Sequence, residues 1–216
     1  GSIGHASAFS FNQNKNIQCG EGGAVLTNDD RVYSRALIYH DVGSYTRSNR
    51  FETDEPVFAG VNYRMPNLSA AVLRPQLKKL GRQLATRAER RRYLIEKLKA
   101  KLGARLEISP HHDSASDIGL TVCFESPEEA RAFSAARGVT RLIESGKHVY
   151  TNWQSILARR TVHPKLDPYA WNERQIRIEE NSCPKTLEIL ERTCSVSLFP
   201  QLPTAAFRLA VHTMTR

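Results

Sequence analysis

The 216-residue sequence has no long hydrophobic run. Nothing in it approaches the ~20 apolar residues that span a bilayer as a helix. The amino terminus shows no basic-then-apolar signal pattern. These two absences set the expectation of a cytoplasmic chain with no membrane partner. Cysteine is also scarce. Cys19, Cys123, Cys183 and Cys194 form no Cys-x-x-Cys pair, and their wide spacing fits neither a zinc site nor a disulfide scaffold. Reduced, packed thiols are the expectation, and no metal is expected. His111-His112-Asp113 does not change this, because adjacent side chains on a strand face opposite ways and cannot grip one ion.

Apolar residues make up 40% and charged residues 25%, a globular balance with ample length for a buried core. The net charge of +9 is concentrated in one place. Residues 74–105 hold twelve Lys/Arg against Glu89 and Glu96. Leu73, Leu77, Leu80, Leu84, Ala88, Ile95, Leu98 and Leu102 recur there at gaps mostly of three and four, the stripe of an amphipathic helix. The basic residues fall largely on its other faces. A basic helix raises nucleic acid as a partner. No helix-turn-helix, zinc finger or aromatic-studded basic sheet accompanies it, so a solvated helix is the reading and no nucleic acid is expected.

Local signals outline the rest. Phe9 and Phe11 alternate with Ser10 as in a half-buried strand, and Ala24 to Thr27 is a second short run. Asn28, Asp29 and Asp30 offer N-caps for a helix from 29 to about 41, with Val32, Ala36, Leu37 and Tyr39 as its apolar side. A polar loop runs from Val42 to Val61, long for a compact domain, which suggests function or disorder. The long helix runs from 67 to 102 and stops at Gly103, with Pro75 breaking a local rule inside it. Short strands at 106–108 and 118–124 flank a polar loop. A helix opening at Ser126-Pro127-Glu128-Glu129 then makes an α+β alternation.

One segment carries chemistry. Phe9-Ser10-Phe11, then Lys15-Asn16, then Gly20-Glu21-Gly22-Gly23-Ala24-Val25, reads as strand, polar loop, glycine turn, strand. A lysine alone on a loop is ordinarily a solvated residue. This one is mounted between two strands, as a catalytic amine needs to be. A second segment, Gly60-Val61-Asn62-Tyr63-Arg64-Met65-Pro66, precedes the long helix with its Ala70-Ala71 pair and Gln76-Leu77.

These segments, in this order, resemble the DegT/DnrJ/EryC1/StrS aminotransferases, pyridoxal-phosphate enzymes that aminate keto-sugars and keto-cyclitols. The resemblance implies an α/β chain with the type I fold of PLP-dependent transferases (aspartate aminotransferase-like). It implies that Lys15 is the catalytic lysine that bonds to the cofactor, and that Ser10 donates to the cofactor phosphate. It implies that Asn62, with Arg64 as a further candidate, contacts the phosphate across a homodimer interface. Gly146-Lys147-His148-Val149-Tyr150 resembles the small-domain segment facing the active-site mouth, which makes His148 and Tyr150 substrate candidates. Cys183-Pro184-Lys185-Thr186 to Ser195-Val196-Ser197-Leu198-Phe199-Pro200 resembles the family's last helix and strand. The implied substrates are a keto-sugar or keto-cyclitol and an amino donor, glutamate or glutamine.

In that family the lysine lies deep in the chain, whereas here fourteen residues precede Lys15. The expectation is therefore a C-terminal portion. Residues 1–66 are the end of a truncated large domain, 67–102 a linking helix, and 103–216 a small α+β C-terminal domain. Relatives that are sugar dehydratases carry a histidine at the lysine position, so Lys15 argues against that chemistry. The remaining alternative is an inactive fragment that binds a partner through its basic helix or an exposed sheet edge.

Overall fold

The computed structural model describes residues 1–43, 53–103, 107–108, 119–172 and 177–214. The chain divides into two compact units, Gly1–Gln83 and Leu84–Arg216. Among the described residues no helix is long and apolar enough to cross a membrane, and no cluster of His, Cys, Asp or Glu could hold a metal ion.

The first unit begins with an antiparallel hairpin of β1 (Ala6–Ser10) and β2 (Gly23–Thr27). Ala6 stands opposite Thr27 and Ser10 opposite Gly23. Gly23 suits that register, since a Cβ on it would stand 2.8 Å from the Phe9 carbonyl oxygen. Helix α1 (Asp30–His40) follows, and the Asp29 carboxylate caps it by accepting from the Val32 amide at 3.0 Å. Its buried residues are Ser34 and Ile38, while Tyr33 and Tyr39 are exposed. Val32, Ala36 and Leu37 of the expected apolar side are half-buried, whereas Tyr39 faces out and its neighbour Ile38 takes the inward place.

Residues 53–66 then run beside α1 as a strap. Helix α2 (Asn67–Leu102) begins in this unit and continues into the second. Pro75 lies inside α2, where it withholds one amide donor from the helix ladder.

The second unit is built on a four-stranded antiparallel sheet in the order β3-β4-β6-β5. Its strands are β3 (Glu107–Ile108), β4 (Leu120–Cys123), β5 (Val139–Arg141) and β6 (Thr193–Val196). Leu120 and Val122 on β4 are buried, while Thr121 and Cys123 are half-buried, the two-residue period of a strand with one covered face. Helix α3 (Pro127–Ser134) opens on a capping box, with Ser126 and Glu129 each satisfying the other's backbone amide. Short helices α4 (Gln154–Leu157) and α5 (Pro168–Trp171) follow, then α6 (Pro184–Glu191) before β6. A last helix, α7 (Thr204–Met214), buries Phe207, Val211 and Met214. No signal for α7 was drawn from the sequence, although those three residues stand at helical spacing.

The core of this unit joins Leu94 and Leu98 of α2 to Val122, Ala130, Cys194, Val196 and the inner face of α7. Leu94 was absent from the expected stripe. Arg90, assigned with the other basic residues to the solvent faces, is buried one turn before it.

Candidate active site

The hairpin loop that carries Lys15 is closed at its base by two backbone bonds. The Phe11 amide donates to the Gly22 carbonyl at 2.8 Å, and the Cys19 amide donates to the Phe11 carbonyl at 2.9 Å. Asn12 organises the interior. Its amide donates to the Ser10 hydroxyl at 3.4 Å, its side-chain oxygen accepts from the Asn14 amide at 3.1 Å, and its carbonyl accepts from the Lys15 amide at 3.0 Å. The middle bond is an Asx turn, which asparagine makes readily. One residue thus ties the Ser10 hydroxyl and the Lys15 backbone into a single turn, with both residues exposed. Gln76 of α2 braces the loop by donating to the Gln18 carbonyl at 3.0 Å.

Gly20 takes a left-handed φ of +87°. Gly22 is needed for space, since a Cβ there would meet Met65 at 2.9 Å and the Cys19 sulfur at 3.0 Å. Met65 therefore brings the end of the strap against the base of the Lys15 loop.

Asn62 and Arg64 lie on that strap. The Val61 and Tyr63 amides donate to the Tyr39 and His40 carbonyls, both at 2.8 Å, and Val42 donates back to Val61 at 3.1 Å. The strap so satisfies carbonyls that α1 leaves without intrahelical partners at its C-terminal end. Asn62 bridges to Asp41 and is exposed. Its side-chain oxygen accepts from the Arg64 amide at 3.3 Å, which leaves its two N–H groups to offer a ligand. The Arg64 guanidinium is ion-paired with Asp41, so any anion it met would compete with that carboxylate.

His148 and Tyr150 belong to the second unit. His148 is exposed on a 3₁₀ turn, Gly146–His148. The Tyr150 hydroxyl donates to the Glu180 carbonyl at 2.8 Å and accepts from the Cys183 amide at 3.0 Å. Tyr150 is thus a brace for the approach to α6. No local pattern signals this role, because Glu180 and Cys183 lie thirty and more residues further along.

The chain has the type I fold of PLP-dependent transferases. Over its whole length it superposes on an E. coli GDP-4-keto-6-deoxy-D-mannose-3-dehydratase with bound hydrated PLP, with a TM-score of 0.67 and 18% identity, covering 55% of that chain. Residues 1–215 match the DegT/DnrJ/EryC1/StrS aminotransferase family, and the chain belongs to it. Pyridoxal 5′-phosphate is the cofactor of that family. A GDP-perosamine synthase of Caulobacter vibrioides is 36% identical over 111 residues, which are 51% of this chain and 28% of that protein. A 3-amino-5-hydroxybenzoate synthase of Amycolatopsis mediterranei is 37% identical over 92 residues, 42% of this chain and 23% of that protein. The chain spans about half the length of the solved structure it matches.

Proposed function

We propose that this chain supplies the lysine and part of the phosphate cradle of a PLP-dependent aminotransferase, which moves an amino group from glutamate or glutamine to a keto-sugar or keto-cyclitol. The observation that carries the reading is the Asn12 turn, which holds an exposed lysine and an exposed hydroxyl on one hairpin loop. The donor set fits PLP. A primary amine is the partner for its aldehyde, and the Ser10 hydroxyl and Asn62 N–H groups are partners for its phosphate. What the cofactor supplies when bound is a sink for the electron pair left at the amino donor's Cα.

The chain's own residues do the rest. Lys15 would hold the cofactor through its amine and would be the group placed to move a proton at the amino donor's Cα. The hairpin limits the reach of its amine, so proton transfer is directed by position. Ser10 and Asn62 would hold the phosphate by their hydroxyl and N–H donors and so orient the cofactor toward Lys15. Asn62 serves the site of a second copy in a homodimer. His148 and Tyr150 belong to the substrate side, and the setting is cytoplasmic. Residues 1–66 form the end of a large domain and 103–216 a small α+β domain, with the helix 67–102 linking them. The named relatives support the acceptor class: one is a GDP-perosamine synthase and another makes an amino-hydroxybenzoate.

Borohydride reduction in the presence of PLP, followed by peptide mapping, tests the reading. The expected result is a pyridoxyl label on Lys15. A label spread over other lysines, or none at all, refutes it.

A further inference from the structure

The strap that carries Asn62 is fastened to α1 far from Asn62 itself. Near its start, the Glu55 carboxylate lies between two guanidiniums of α1, 3.0 Å from Arg31 and 3.2 Å from Arg35. Its side chain is only 17% exposed, against 75% for Arg31 and 46% for Arg35. Arg31 and Arg35 are one helical turn apart on one face, where like charges repel. Glu55 cancels that repulsion and docks the strap in the same contact. Arg35 also lies over the Phe58 ring, 4.6 Å from its centroid.

Further contacts follow in step along the helix. A Cβ on Gly60 would stand 2.3 Å from the Tyr39 carbonyl oxygen, so backbone meets backbone there. Tyr63 packs edge-on to Tyr39 with centroids 6.0 Å apart, and Arg64 pairs with Asp41. At the far end, Val42 is held at φ +56° while its amide donates to Val61. A β-branched residue in that region is strained, and strain of this kind persists where the surroundings enforce it.

We propose that Glu55 is a positioning residue for Asn62: its carboxylate ties the strap to α1 and so fixes where the Asn62 N–H donors are presented to a phosphate-bearing ligand. This rests on the cofactor reading above, since it takes Asn62 to be a phosphate donor. Glu55 touches no ligand itself. Its effect passes through the strap backbone to Val61 and Tyr63, whose amides bracket Asn62. With Glu55 neutral, the two arginines repel, the start of the strap lifts, and Asn62 samples several positions. Binding then bears the cost of ordering it again.

Two measurements on the full chain test this, using Glu55→Gln and Glu55→Asp. The first is amide hydrogen exchange. Glu55→Gln is expected to speed exchange at Val61 and Tyr63 by about tenfold, while the Phe11 amide in the hairpin keeps its wild-type rate. The second is the PLP concentration that half-saturates borohydride labelling of Lys15, expected to rise about fivefold in Glu55→Gln and to return to within about twofold in Glu55→Asp. Unchanged exchange at Val61 and Tyr63 overturns the proposal. So does a uniform acceleration across the unit, which would make Glu55 a general stabiliser. Faster exchange with unchanged half-saturation overturns it as well, because the strap would then move without consequence for Asn62. If the wild-type chain takes no label on Lys15, the cofactor reading fails on its own. The exchange rates at Val61 and Tyr63 then decide whether Glu55 sets the Asn62 backbone.

Discussion

Gly138 lies directly beneath the Phe199 ring: a Cβ on Gly138 would stand 2.2 Å from the ring's Cζ. Gly138 also has a φ of +85°, a conformation that any L side chain resists. Gly138→Ala therefore meets two penalties, one in the backbone and one in packing. The expected loss is about 2–4 kcal/mol of unfolding free energy. Urea denaturation midpoints of Gly138→Ala, Phe199→Ala and the double variant separate the two. The clash disappears in the double variant, and a backbone penalty of about 1–2 kcal/mol remains. Strict additivity of the single variants would show that the ring does not press on Gly138.

Arg90 gives a second test. Its buried guanidinium donates to the carbonyls of Leu198 at 3.3 Å, Leu202 at 2.5 Å and Phe199, and lies 4.9 Å from the Phe207 ring centroid. Arg90→Met keeps the apolar stem and strands the Leu198 and Leu202 oxygens, while the Phe199 oxygen still accepts from the Leu202 amide at 3.0 Å. The expected cost is about 2–4 kcal/mol, because each buried acceptor left without a partner bears its desolvation penalty uncompensated. Arg90→Lys should fall between, since an ammonium cannot reproduce the planar fork. A wild-type denaturation curve for Arg90→Met would mean that water satisfies the Leu198 and Leu202 carbonyls.

The Cys194 thiol predicts a pH dependence. Burial pushes its pKa up to about 11, with Glu144 and Cys123 adding to the rise and Arg141 opposing it. The thiol is fully buried and donates to the Ala130 carbonyl at 3.4 Å. An acid whose pKa is raised by folding favours the native state while it stays protonated. Its contribution is complete below the unfolded pKa of 9.0 and is lost as pH climbs through about 11, because the unfolded chain ionises first. The rise from 9.0 to about 11 corresponds to about 2–3 kcal/mol. Wild type should lose this amount relative to Cys194→Ala between those pH values. Identical slopes for the two chains would show that Cys194 ionises without resistance. Thiol alkylation supplies a control: Cys183 is exposed and should react in the native state, while Cys194 reacts only on unfolding.

The sequence was most legible where the determinants are local. Asp29 caps α1 and Ser126 with Glu129 caps α3, because a cap and its amide are three residues apart. The family was legible too, because the Lys15 and Asn62 segments are contiguous runs. Burial was less so. Ile38 and Tyr39 are neighbours, and only the fold decides which of them turns inward. Arg90 reads as one more cation on a basic helix, since its carbonyl partners lie more than a hundred residues away. The helix Thr204–Met214 has a local signal in the helical spacing of Phe207, Val211 and Met214. The clamp at Glu55 joins α1 to a segment some twenty residues further on, and no local pattern announces such a pair.

The last prediction concerns the sharing of a site between copies. If Asn62 serves the Lys15 of a second chain, Lys15→Ala and Asn62→Ala must complement each other. Alone, Lys15→Ala takes no pyridoxyl label, and Asn62→Ala requires more PLP for the same label. In an equal mixture, half of the dimers are mixed, and each of these joins an intact Lys15 to an intact Asn62 at one site. About one quarter of wild-type labelling should therefore return, at a PLP concentration too low to label the Asn62→Ala chain alone. Asn62→Asp is the control for local structure. It keeps the oxygen that accepts from the Arg64 amide at 3.3 Å but replaces N–H donors by negative charge. It should bind PLP no better than Asn62→Ala. If mixing restores no label while each parent still folds and the two chains exchange, Asn62 acts within its own subunit. The shared site would then be wrong even with Lys15 as the cofactor lysine.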